Sequence, residues 1–281
     1  MNRRFVTTVG VFDGIHTGHR AVLETLKAEA DRRGVPSLVI ILAGNYKGTQ
    51  MITSDDRRAE ILGDTGVDEV WEIDFNQIRS LTGEEFLTAL ARNGADALVM
   101  GFNNRIGCDA IGIEEATRLG IIDIVAAPEV GGVSSTAIRE AVNAGRLSPA
   151  AVMLGTPFFV EGTVVHGRHL GRTLGFPTAN VSVPACIVMP PIGVYAARAT
   201  VDGSIYDAMV NVGQRPTFDI PGQPTVIEAN IFGLDMDLYG KNIQLSFVSL
   251  IRSERKFGTR EALADQLVLD RQQALKILHD K

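Results

Sequence analysis

Phe5-Val6-Thr7-Thr8-Val9-Gly10-Val11-Phe12-Asp13-Gly14-Ile15-His16-Thr17-Gly18-His19 decides how the first half of this chain folds. Phe5 to Val9 predicts a buried strand. Gly18 to Arg33, with Ala21, Val22, Leu23, Leu26 and Ala30 at helical spacing, predicts a helix. His16 and His19 therefore fall on a glycine-punctuated turn where strand gives way to helix. There the first free N–H groups and the helix dipole favour an anion, and a histidine N–H adds a donor that strengthens as charge builds on a triphosphate. Taken alone, the His-x-x-His spacing fits equally a helix-capping histidine or half of a metal site. The metal reading needs further ligands nearby, and His166, His169 and His279 are distant in sequence.

Outward from this turn, Leu38–Leu42, Val67–Ile73, Ala95–Met100 and Ile121–Ala126 read as strands buried on both faces, separated by amphipathic segments. Thr82-Gly83-Glu84-Glu85 forms a capping box ahead of Phe86, Leu87 and Leu90. The alternation predicts a doubly wound parallel α/β sheet whose ligand crevice lies at the carboxyl ends of the strands, beside His16 and His19.

After Leu154-Gly155-Thr156-Pro157 the pattern changes. Phe158–Val165, Gly193–Val201, Ile205–Val212, Thr225–Phe232 and Ile243–Leu250 are strand-like, Asp202-Gly203 is a two-residue hairpin turn, and Thr259–His279 is helical. This predicts a small antiparallel β-barrel with a C-terminal helix over residues 155–281, following an α/β domain over 1–154.

At 281 residues with 45% hydrophobic and 21% charged residues, the chain has the composition of one large or two ordinary globular domains. A net charge of −6 argues against a general nucleic-acid binder without excluding a small anionic ligand. Met-Asn-Arg-Arg-Phe lacks an apolar core for a signal peptide, and the longest apolar run, Leu38–Ala43, is far short of a membrane span. Cys108 and Cys186 suggest no disulfide framework, so a cytoplasmic setting is expected.

A second glycine-rich loop, Gly167-Arg168-His169-Leu170-Gly171-Arg172-Thr173-Leu174-Gly175, offers backbone N–H groups and cations to phosphates. Its spacing alone also fits an ordinary surface loop. It runs into Pro177-Thr178-Ala179-Asn180, an extended segment in which Thr178 and Asn180 point to one side as neutral oxygen ligands suited to Mg²⁺ carrying a nucleotide.

Gly10, Phe12, Asp13, His16, Gly18 and His19 resemble the signature of nucleotidyltransferases that transfer a nucleoside monophosphate from an NTP. Further matches lie at Ser134-Ser135-Thr136-Ala137-Ile138-Arg139, Gly171–Asn180, Gly193-Val194-Tyr195, Asn211–Thr217, Glu228, Asp237–Gly240 and Ile251–Phe257. Over nearly its whole length the chain thus resembles the bacterial bifunctional riboflavin kinase/FAD synthetase family. The resemblance implies ATP-dependent phosphorylation of riboflavin to FMN by the second domain and adenylylation of FMN to FAD by the first, both with Mg²⁺ and with small molecules as partners. It assigns Glu228 as the base for the ribityl hydroxyl, Thr178 and Asn180 as holders of Mg²⁺-ATP, and Arg252 as a flavin neighbour or a stabiliser of the domain. In the first domain it assigns His16 and His19 as catalytic groups, and Gly10, Phe12, Asp13, Gly18, Ser135, Thr136 and Arg139 to the nucleotide and its phosphates.

Two family motifs are absent. Leu42–Lys47 replaces an aromatic-acidic Pro-His-Pro segment, and Gly101-Phe102-Asn103-Asn104-Arg105-Ile106-Gly107 replaces Gly-x-Asp-Phe-x-Phe-Gly. The departures imply an altered flavin or adenine pocket, with Tyr46 and Phe102 as replacement stacking surfaces and Asn103 as a hydrogen-bonding group. They leave open a kinase whose first domain only binds flavin or nucleotide, or serves another acceptor.

Overall fold

The computed structural model describes residues 4–44, 50–167, 175–213 and 225–280. The chain divides into two compact units, Met1–Ser135 and Thr136–Lys281.

In the first unit, β1 (Phe5–Gly10), α1 (Thr17–Arg33), β2 (Ser37–Ala43), α2 (Asp55–Asp64), β3 (Glu69–Asp74), α3 (Phe75–Ile78), α4 (Gly83–Arg92), β4 (Ala95–Met100), α5 (Ile113–Leu119) and β5 (Asp123–Ala126) follow one another. The strands form one parallel sheet in the order β3-β2-β1-β4-β5. Strand alternation sorts the side chains between two apolar layers. Val39 and Ile41 join Val22, Leu23, Leu26 and Leu62 on one face. Leu38 and Ile40 join Phe86, Leu87, Leu90 and Ala116 on the other. Buried Thr7 and Thr8 donate to Leu38 O at 3.0 Å and Val99 O at 2.9 Å, so their hydroxyls are satisfied within the sheet.

The expectation of strands buried on both faces holds for β1, β2 and β4 but not for β3 or β5. Both of these contain only half-buried and exposed positions, because they form the sheet's edges. The capping box at Thr82 and Glu85 is present.

The second unit takes in most of α6 (Ser135–Asn143), then α7 (Leu147–Leu154), β6 (Phe159–Val165), β7 (Ala179–Val183), β8 (Gly193–Val201), β9 (Ser204–Val212), β10 (Thr225–Ile231), β11 (Asn242–Ser253) and α8 (Arg260–His279). The strands close an antiparallel barrel in the order β10-β7-β6-β11-β8-β9. Asp202 and Gly203 both have positive φ, 47° and 78°, as a two-residue hairpin between β8 and β9 requires. β7, read from sequence only as an extended segment, is a barrel strand between β6 and β10.

The compactness boundary falls earlier than the sequence break at Gly155. The reason is that α7 packs against β11, and a side chain on Gly145 would meet Pro191 at 3.5 Å. α8 lies over the barrel, where Ala274 and Leu278 pack with Ala196 and Met209.

Candidate active sites

From β1 the sheet grows first through β2 to β3 and then, on the other side, through β4 to β5, so the turn after β1 opens at the switch point between β1 and β4. This turn is sharply bent: Phe12 and Ile15 take positive φ, 53° and 39°. For the β-branched Ile15 that conformation is strained, as often found where a backbone must present functional groups. Asp13, only 3% exposed, holds the bend in place by accepting from Ile52 N at 2.8 Å and Thr53 N at 3.2 Å. Ser135 Oγ donates to Asp13 O at 2.9 Å. The Asp13 carboxylate therefore organises the turn, where the sequence reading placed it among the phosphate-binding residues.

His16 is the N-cap of α1, with Nδ1 accepting from the His19 backbone N–H at 3.2 Å. This fixes the neutral ring as the Nε2–H tautomer, leaving Nε2–H as its donor. The rings of His16 and His19 stack at 3.6 Å, and Phe12 tilts against His19 at 5.1 Å. A methyl group on Gly18 would stand 3.2 Å from the His16 ring, so the glycine leaves room for the imidazole.

Burial lowers the His16 pKa to about 4. Burial first, then the neighbouring His16 and Arg58, hold His19 well below the ordinary histidine range. Both rings are neutral near pH 7 and act as hydrogen-bonding groups. Among the described residues, His19 Nδ1 is buried without a hydrogen-bond partner.

The cation acting on His19 is Arg58, a completely buried residue of α2 that pairs with Asp55. Sequence reading passed over it, because Ser54-Asp55-Asp56-Arg57-Arg58 reads as an ordinary capped helix start. Only its burial distinguishes it.

The loop after β4 returns to the crevice through Asn104, whose Nδ2 donates to Val9 O at 3.3 Å. Phe102 and Asn103 are exposed beside it, Phe102 at 56%. Tyr46 lies outside the described residues. Thr136 and Arg139 fall in the second unit, where Arg139 Nη2 donates to Thr136 Oγ1 at 3.1 Å.

In the barrel, Ile227 and Ala229 are fully buried, so Glu228 between them points outward, and it is exposed. Its register partners are Asn180 on β7 and Asn211 on β9, which places a carboxylate between two carboxamides. Directly paired residues share a face about 4.5–5.5 Å apart. Asn180 is 7% exposed and packs under the chain at Gly167, where a methyl group would collide with its Nδ2 at 2.0 Å.

Thr178 lines a neighbouring cavity of about 590 Å³ with Ala179, Ala229, Ile231, Asp237 and Tyr239. His166 stacks on Tyr239 at 4.0 Å. Gly175 is described; Gly171 and the loop's centre lie outside the described residues. Arg252 is bound to Asp270 of α8 through Nε at 2.9 Å and Nη2 at 2.8 Å.

A model of FAD synthetase matches residues 1–120, and a model of riboflavin kinase matches residues 154–278. The bifunctional riboflavin kinase/FMN adenylyltransferase of Bacillus subtilis (strain 168) is 32% identical, covering 96% of this chain and 92% of its own length. The chain belongs to the bifunctional riboflavin kinase/FMN adenylyltransferase family. The family's member from Escherichia coli (strain K12) is 34% identical over 94% of this chain and 90% of its own. A crystal structure titled as a macrolide-efflux protein from Streptococcus pneumoniae superposes with a TM-score of 0.88 at 31% identity, covering 100% of this chain and 96% of that one. The family's domain order places the His16 turn in the adenylyltransferase half and the Glu228 row in the riboflavin kinase half.

Proposed function

We propose that the barrel phosphorylates riboflavin with Glu228 as general base, and that the α/β domain adenylylates the resulting FMN at the His16 turn. The observation that carries the kinase assignment is the row Asn180–Glu228–Asn211 on the outer face of the barrel. A primary ribityl hydroxyl is too weak an acid to attack unaided, and an exposed carboxylate held between two amides is a base that substrate can reach. Thr178, Asn180 and Glu228 form an oxygen donor set suited to a hard cation, and Thr178 with Asn180 would hold Mg²⁺ on ATP. Mg²⁺ bound there would neutralise phosphate charge. The family motif also assigns Gly167, Gly171 and Gly175 to the nucleotide, so the protein's part is positioning.

The FMN phosphate is already an anion at neutral pH and needs no protein base. The α/β domain acts by orienting ATP and stabilising charge. The Nε2–H of His16 and the His19 ring donate to the phosphates, and Arg58 supplies a fixed positive charge behind them. Ser135, bonded to the turn at Asp13, adds a hydroxyl to the phosphate contacts, and Phe102 and Asn103 border the flavin; for Thr136 and Arg139 the phosphate role rests on the family motif alone. Gly10 and Gly18 keep space for the ring of Phe12 and that of His16. The functional boundary is Gly155, and the free, exposed Cys108 and Cys186 suit the cytoplasm.

The test is a time course with riboflavin, ATP and Mg²⁺ that resolves riboflavin, FMN and FAD. Transient FMN followed by FAD is expected. FMN that accumulates without FAD would leave a riboflavin kinase with a silent first domain.

A further inference from the structure

We propose that Asp270 and Gln266 of α8 are positioning residues for riboflavin phosphorylation, acting through Arg252 and the segment 253–258 on the belt that carries Glu228. The proposal rests on the kinase reading above.

The belt runs farther round the barrel than the catalytic row. Arg252 lies opposite Val194, Val194 opposite Asn211, Asn211 opposite Glu228 and Glu228 opposite Asn180. Towards one end the belt is open to solvent at Glu228, beside the buried Asn180. The other passes under α8, where Arg252 meets Asp270.

Asp270 is 1% exposed, and its carboxylate takes both a forked grip from Arg252 and a 2.6 Å hydrogen bond from Gln266 Nε2. The oxygen of the same Gln266 amide accepts from Arg255. The guanidinium groups of Arg252 and Arg255 lie 5.5 Å and 4.8 Å from the ring centre of Phe257. Both of these cations are thereby tied to α8, and the chain between β11 and α8 is held at Arg252, Arg255 and Phe257.

That segment also reaches the belt directly. A methyl group on Gly213 would stand 3.3 Å from Glu254 Oε1 and 3.5 Å from Asn211 Nδ2, so Glu254 and the amide beside Glu228 converge on one point.

Docking of the helix does not by itself require this network. Ala274 and Leu278 already pack on Ala196 and Met209, and a buried ion pair is weak evidence for stability. What charge-assisted, forked hydrogen bonds add is a defined geometry. Here that geometry is imposed on the segment carrying Glu254.

The experiment compares full-length wild type, Gln266→Leu and Asp270→Asn. It measures KM and kcat for riboflavin phosphorylation, FMN adenylylation on the same preparations, and the melting temperature. Gln266→Leu removes both amide hydrogen bonds while keeping a good helix former. It is expected to raise the riboflavin KM about 10-fold, the size of roughly one charge-assisted hydrogen bond, with adenylylation unchanged and the melting temperature lowered by no more than about 2–4 °C. Asp270→Asn is expected to exceed this effect. Unaltered kinase constants in folded Gln266→Leu would overturn the proposal, as would a lower melting temperature in both variants with KM unmoved. Wild-type protein that forms no FMN would instead overturn the kinase reading on which the proposal rests, and this is seen before any variant is compared.

Discussion

The Nδ1 atom of His16 accepts the backbone N–H of His19 at 3.2 Å while their rings stack at 3.6 Å. One imidazole thus caps a helix and shields a second imidazole with its face. Capping and phosphate chemistry use different atoms of the same ring, so substitution can separate them. His16→Asn keeps a good N-cap, whereas His16→Ala loses about 1 kcal/mol of helix stability. Both should lower FMN adenylylation on the order of 10²–10³-fold and leave riboflavin phosphorylation intact. Undiminished FAD formation by the asparagine variant would reduce His16 to a cap.

The depressed His16 pKa makes stability depend on pH. The folded value of about 4 lies below the unfolded reference of 6.5, so the unfolded chain binds the proton first on acidification. This contribution is fully present above pH 6.5 and is lost as pH falls towards 4, with His19 acting in the same direction. Denaturant midpoints measured across that window should fall with acid, and fall less steeply in His16→Asn. Equal slopes in the two proteins would show that the ring is not buried as a neutral group.

Glu228→Gln should reduce riboflavin phosphorylation by roughly 10²–10⁴-fold with FMN adenylylation preserved. The side chain is exposed, so the melting temperature should scarcely move. Equal loss of both activities in folded protein would defeat the two-site assignment.

Arg58→Leu distinguishes function from packing. Replacing one member of a buried ion pair usually destabilises by about 3–5 kcal/mol when it strands the other charge, but the partner here, Asp55, is 39% exposed at its side chain and can be hydrated. Stability should change by less than that. Adenylylation should fall about 10²-fold, the scale on which one fixed electrostatic donor acts. Loss of stability with turnover unchanged would make Arg58 a purely structural cation.

Much of this architecture is legible from local pattern. The apolar run Leu38–Leu42, the Thr82–Glu85 capping box and Asp202-Gly203 report backbone preferences that depend on a few neighbouring residues. Less legible were β7, whose short Ala179–Val183 run follows the glycine loop, and the edge positions of β3 and β5, which depend on strand order. Among site residues, Asp13 looked like a phosphate ligand because its spacing from His16 was visible and its partners Ile52 and Thr53 were not. Asn103 drew attention in the loop after β4, yet it is Asn104 that reaches β1.

By itself, the sequence determined two folds in tandem, the strand–turn–helix bearing His16 and His19, and the motifs that identify the family, since these reside in periodicity and short-range spacing. Only the tertiary structure decided that Glu228 stands between Asn180 and Asn211, that Arg58 is buried where its charge acts on the His19 ring, and that Asp270 grips Arg252. Each of these depends on strand register or burial between segments far apart in the chain, where the free energy of a side chain is set by neighbours that local sequence does not name.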